Sequence, residues 1–103
     1  MNARTRLPNR RPSETFALEC NGLSYLATIS RFHDGRLAEI FLNNAKCGSH
    51  SDAAAKDAAV VASLALQHGV ALDVLRHALL RDSRGQASSP LGVALDLIAG
   101  LAP

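Results

Sequence analysis

The chain has 103 residues, which is one domain in length, and 48% apolar against 19% charged residues excludes a disordered chain. Three Phe, one Tyr and no Trp mean that its core must be built from Leu, Ile, Val and Ala. The net charge of +2 is unevenly placed. Residues 1–14 hold Arg4, Arg6, Arg10 and Arg11 against the single acid Glu14, while the rest of the chain is slightly acidic. A basic arm of this kind either grips phosphates or serves as a solubilising connector.

Residues 1–14 read as that arm, with Pro8 and Pro12 keeping it extended, and residues 15–103 read as a single domain. In Thr15–Cys20, apolar Phe16, Leu18 and Cys20 alternate with other positions, the period of two of a strand. Asn21-Gly22 is a hairpin turn signal because both residues tolerate positive φ. A second strand is expected over Leu23–Phe32, a turn at His33–Arg36 and a third strand over Leu37–Asn43.

The period then changes. Ser51 and Asp52 open a helix that Gly69 closes. Asp52, Lys56, Ser63 and Gln67 trace one narrow polar stripe along it, and nearly everything else is Ala, Val or Leu. So apolar a helix should be covered on more than one side, as a central helix between the sheet and later helices. A second helix is expected over Leu72–Asp82, with Leu72, Leu75 and Leu79 inward and Asp73, His77 and Arg81 as an exposed ladder. Ser89-Pro90 is a cap followed by a first-turn proline, opening a third helix with Leu91, Leu95 and Ile98 inward and Gly100 at its end. The order is βββααα: an α+β fold with an antiparallel meander and three helices on one face.

The residues give little support for catalysis. The four histidines show no metal-ligand spacing, and no metal site is expected. His77 reads as part of a solvated helix face, and His68 as a helix terminus. Cys20 reads as a small buried hydrophobe, and Cys47, in the loop before the central helix, as a thiol whose pKa Lys46 and the helix end would lower, with His50 the one base near in sequence for a nucleophilic role. In the same loop Lys46, Gly48, Ser49 and Ser51 could cradle an anion such as a phosphate or nucleotide, against the plainer reading of a capped strand-to-helix connection. If Phe16, Leu18, Tyr25, Ile29, Ile40 and Leu42 face the helices, then Leu26, Phe32, Leu37 and Phe41 form an apolar outer face, a surface for a protein partner or self-association. The alternative is that the arm covers it. No apolar run marks a leader in the first 14 residues or a membrane span elsewhere, so a cytoplasmic protein with reduced thiols is expected.

Several stretches carry a family resemblance. Arg6-Leu-Pro-Asn-Arg-Arg-Pro-Ser-Glu-Thr15, Ile29-Ser-Arg-Phe-His-Asp-Gly-Arg-Leu-Ala-Glu-Ile-Phe-Leu42 and Lys46-Cys-Gly-Ser49 resemble the TSCPD domain. So do Ala62-Ser-Leu-Ala-Leu-Gln-His-Gly-Val70 and Ser89-Pro-Leu-Gly-Val-Ala-Leu-Asp-Leu-Ile98. That domain is typically the C-terminal module of adenosylcobalamin-dependent ribonucleotide reductases and also occurs in small separate proteins. The Thr-Ser-Cys-Pro-Asp string that names it is absent; the nearest stretch is residues 46–52. The reductase's catalytic barrel, its radical and redox cysteines and its tail dithiol have no counterpart, so no catalytic residue carries over. The resemblance implies an accessory binding module of the system that supplies deoxyribonucleotides for DNA replication. On this reading the chain holds no cofactor of its own, and adenosylcobalamin enters only through the related reductase. The competing reading is a small nucleic-acid-binding or regulatory protein that uses the Arg-rich arm; the acidic balance of the body weighs against it.

Overall fold

Alternating apolar residues and the Asn21-Gly22 turn produce the first hairpin. In the computed structural model, which describes residues 3–5, 12–44 and 48–101, β1 is Ser13–Cys20 and β2 is Leu23–Arg31. They pair antiparallel from Ser13↔Ser30 to Cys20↔Leu23. Asn21 and Gly22 have φ of 52° and 78°, both positive as the tightest hairpin turns require. A second turn, in which the Phe32 carbonyl accepts from the Gly35 N–H at 2.9 Å, leads into β3, Leu37–Asn44, giving the sheet order β1-β2-β3. The helices follow in chain order: α1 is His50–Gln67, α2 is Leu72–Ala78 and α3 is Pro90–Leu101. The expected α+β meander with three helices is what the chain forms.

The inward positions expected for α3 and, Leu37 apart, for the sheet are those that the structure buries or packs against the core. Ile29, Ile40, Leu42, Leu95 and Ile98 are the largest fully buried side chains. Leu72, Leu75 and Leu79 pack against that core from the side. No helix among the described residues is long and apolar enough to cross a membrane.

The polar stripe of α1 is where the structure departs most from expectation. β3 is an edge strand, and its outward N–H and C=O groups need partners. α1 runs back along that edge and supplies them from the stripe. The Ser63 hydroxyl accepts from the Ile40 N–H at 2.9 Å and donates to the Ile40 carbonyl at 3.0 Å. Gln67 Nε2 donates to the Ala38 carbonyl at 3.1 Å, and Asp52 Oδ1 accepts from the Asn44 N–H at 2.9 Å. The lengths agree: from Asp52 to Gln67 the helix climbs about 22 Å, and Ala38 to Asn44 spans about 20 Å of strand. Asp52, Ser63 and Gln67 are therefore buried, and α1 is the flank of the sheet rather than a central helix. Its far side stays in water, with Val61 67% exposed.

Two element ends also shift. α1 starts at His50, capped by Ser49 instead of Ser51, because the Ser49 hydroxyl accepts from the Asp52 N–H at 3.1 Å. α2 stops at Ala78, four residues early, because Arg81 is drawn away to α3. Its two guanidinium nitrogens meet the two Asp96 oxygens at 2.8 Å each, and Arg81 pairs with Ala87 in an isolated bridge. Arg81 is thus no rung of an Asp73–His77 ladder; Arg76 links Asp73 and Asp96 instead.

The outer sheet face is smaller than expected. A bulge at Ser30/Arg31 skips one residue of β3, so that Leu37 pairs with Arg31 and turns to the opposite face. Leu37 is 5% exposed and belongs to the core, not to a partner surface. Phe32 lies beyond the end of β2, half-buried beneath the Arg36 guanidinium at 4.9 Å from its ring centre. Leu26 and Phe41 remain exposed on that face, at 51% and 47%.

These placements give two measurable expectations. Ser63→Ala strips two buried backbone groups of their partner and should cost about 1–3 kcal/mol in denaturant unfolding, whereas Val61→Ala should stay within about 0.5 kcal/mol of the parent. Leu37→Ala should cost about 2–5 kcal/mol, and Phe41→Ala about 1 kcal/mol or less; equal costs would mean that the bulge is misplaced.

Candidate functional site

The start of α1 gathers most of the groups that the sequence marks as a candidate site. Gly48, at φ +80°, turns its N–H onto Asp52 Oδ2 at 3.1 Å, and Lys56 Nζ stands 3.0 Å from the same oxygen. Together with the Asn44 N–H and the Ser49 cap, these contacts tie β3, the loop end and the first helical turn to one carboxylate. Asp52 is held at a pKa of about 2, below the usual 3.8, first by the Asn44 and Gly48 N–H groups and then by Lys56. The anion that this helix start cradles is thus its own Asp52. Gly48 and Ser49, two members of the expected phosphate cradle, thus direct their N–H and hydroxyl to this helix start itself. Ser51 stands apart from this network, one turn-position away and half-buried. Lys46 and Cys47 lie outside the described residues, as do Arg6, Arg10 and Arg11 of the basic arm. Arg4 is described, and its Nε donates to Gln67 Oε1, while the Thr5 N–H donates to the Gln67 carbonyl at 2.9 Å. The start of the chain is thereby pinned to the end of α1.

Beside the Asp52 network lies a cavity of about 490 Å³, in the size range of small-molecule sites. Three chain segments wall it: the β1–β2 turn with Cys20, Leu23 and Tyr25, the first turns of α1, and the start of α3 with Ser89, Pro90 and Leu91. Leu79, the residue that leaves α2, completes the wall. Its walls are chiefly apolar, and its polar groups are few: Asn21, Tyr25, His50, Ser51 and Ser89. Cys20 is buried there and burial pushes its thiol pKa up, which makes it an inert wall residue, as its strand position implies.

Tyr25 is the member of this set that the sequence does not single out. It is 4% exposed and lines the cavity. Its place on a strand marks it only as a core ring; what sets it apart is that α1 and α3 begin on either side of it, a consequence of tertiary packing. Among the described residues no three His, Cys, Asp or Glu side chains gather to hold a metal. His68 and His77 each turn Nδ1 to a carbonyl four residues back, at 2.8 and 2.7 Å.

The Asp52 clamp predicts a defined acid response. A carboxyl whose folded pKa is depressed stabilises the fold fully above its unfolded value, near 3.8, and loses that contribution as pH falls toward about 2. Asp96, held at about 2 by Arg81 and Arg76, acts in the same direction. Melting temperature should therefore fall between pH 4 and pH 2. Asp52→Asn should melt lower than the parent at pH 6, and the gap should shrink as pH drops through that window. A gap that stays constant with pH would show that the charge of Asp52 contributes nothing.

No family model matches the chain, and no solved structure matches it. Over 70 residues, 68% of the chain, it is 37% identical to the vitamin B12-dependent ribonucleotide reductase of Agrobacterium fabrum (strain C58 / ATCC 33970). The chain spans only 6% of the length of that protein. The expected relation to the reductase is thus supported for a region of this one domain's size.

Proposed function

We propose that this protein is an accessory binding module of the vitamin B12-dependent ribonucleotide reductase system, acting as a separate chain and without catalysis of its own. The observation that supports this reading is the 37% identity over 70 residues to a protein of which the chain spans 6%. Identity at that level across most of one small domain supports a shared fold, and 6% of the length of that protein is too little to hold its whole activity. The domain would then contribute by contact: it would bind a protein of that system. On the sheet, Leu26 and Phe41 offer the apolar centre of such a contact, with Phe32 at its margin and Thr15, Thr28 and Asn43 as a polar surround.

Two measurements test the reading. The purified chain, given adenosylcobalamin, a dithiol and a ribonucleotide, should form no deoxyribonucleotide above a protein-free control; turnover would overturn the non-catalytic assignment. Mixed with the B12-dependent reductase of its own organism, the chain should co-elute with it in size-exclusion chromatography. The double substitution Leu26→Ser and Phe41→Ser should weaken that association roughly tenfold or more, as loss of a buried apolar anchor does. Failure of the parent chain to associate would overturn the proposal.

A further inference from the structure

We propose that two copies of this chain associate through the outer side of α1, the two helices lying antiparallel about a two-fold axis. The helix has three sides. Asp52, Ser63 and Gln67 meet the edge of β3, and Ala55, Ala59, Ala62 and Leu66 enter the core. The third side carries Asp57, Val60, Val61, Leu64 and His68, none of them buried. Val60 is 51% exposed, Val61 67% and Leu64 40%. Three of the four core positions hold only alanine, so most of the larger apolar side chains of α1 stand on the side that meets water. Two adjacent β-branched residues also lower the helix propensity of this stretch, and a helix bathed in water gains nothing from them. A contiguous apolar side of this kind marks an interaction surface.

The order of the residues on that side selects the occupant. Asp57, Val61, Leu64 and His68 follow one another at spacings of four, three and four, the seam of a two-helix coiled coil. An axis midway between Val61 and Leu64 lies midway between Asp57 and His68 as well. That one axis sets Val61 of each copy against Leu64 of the other, and Asp57 of each against the basic His68 of the other. A two-fold contact requires this self-complementarity, because each residue must meet the partner of its own partner. A parallel pairing would set Asp57 against Asp57. The antiparallel one also opposes the two helix dipoles favourably. Within one chain Asp57 and His68 stand about 16 Å apart along the helix and cannot meet. The apolar centre and the charged ends therefore fit a second copy of this same helix. This side of α1 is not the sheet face of Leu26 and Phe41, so the inference stands apart from the proposed reductase contact.

One helix against one helix buries less than the roughly 1,200 Å² of standard interfaces, so a weak dimer is expected, with a dissociation constant on the order of 10 µM to 1 mM. Sedimentation equilibrium of the purified chain across that range should show monomer and dimer. Val61→Lys and Leu64→Lys should each raise the dissociation constant tenfold or more. Both should leave the melting temperature of the dilute chain unchanged, because both positions are exposed in it. Leu26→Ser with Phe41→Ser should leave the dimer intact. Asp57→Lys and His68→Glu should each weaken it severalfold, and the two together should restore it, since each lysine then meets a glutamate of the other copy. A chain that stays monomeric to the upper end of that range would sink the proposal. A dimer that survives Val61→Lys and Leu64→Lys, or that is lost with Leu26→Ser and Phe41→Ser instead, would place the contact elsewhere and overturn it too. No recovery in the charge-swapped double variant would reject the antiparallel pairing. Co-elution with the reductase is a separate measurement, and none of these results alters its outcome.

Discussion

The open edge of β3 is the constraint on which the rest of this structure depends. Three strands cannot close on themselves, and each sheet edge exposes a row of backbone groups. Here one edge is covered by side chains from a helix rather than by another strand. Ser63 serves both backbone groups of Ile40, Gln67 takes the Ala38 carbonyl, and Asp52 takes the Asn44 N–H. The contacts fix α1 along the strand direction, because each polar side chain must meet one alternate residue of β3. Once α1 is fixed, its Ala55, Ala59, Ala62 and Leu66 row is committed to the core, and its first turn is committed to the edge of the cavity.

That arrangement explains the composition of α1. Alanine dominates its buried row because a helix drawn close enough for Ser and Asp side chains to reach a strand leaves little room for larger groups. Short polar residues sit where the backbone needs partners, and the long chain of Gln67 reaches the last of them. The same residue accepts from Arg4, so one side chain joins the start of the chain, the end of α1 and the start of β3. Substitution at Gln67 would disturb all three.

Much of this fold was legible in the residues. The period of two, the Asn21-Gly22 turn and the Ser89-Pro90 cap are local signals, and local signals locate β1, β2 and α3 to within two residues. Elsewhere the outcome depends on partners far along the chain. A polar stripe on a helix reads as solvent-facing until a strand edge is placed against it, and Asp52, Ser63 and Gln67 carry no local sign that one will be. Arg81 continues the helical pattern of α2 perfectly well; only Asp96 of α3 draws it out. Leu37 lies in phase with an outer face until the bulge at Ser30/Arg31 reverses it. The candidate site divides in the same way. The loop before α1 announced itself through its Gly and Ser residues, whereas Tyr25 gained its setting from two helices that close around it.

The start of α1 shows how such a division has chemical consequences. A helix of 18 residues presents a positive end that attracts negative charge, and the fold answers that demand on one side with Asp52. Asp52 is bound there by Asn44, Gly48 and Lys56, so it spends its charge on joining the sheet to the helix. It faces β3, however, while His50 and Ser51 of the same turn face the cavity. At α3 the division recurs: the Ser89 hydroxyl closes the Gly92 N–H, proline removes another donor, and Leu91 is left at the wall. Both helix starts thus close an inner donor with the serine that precedes them and place their first residues in the same cavity wall.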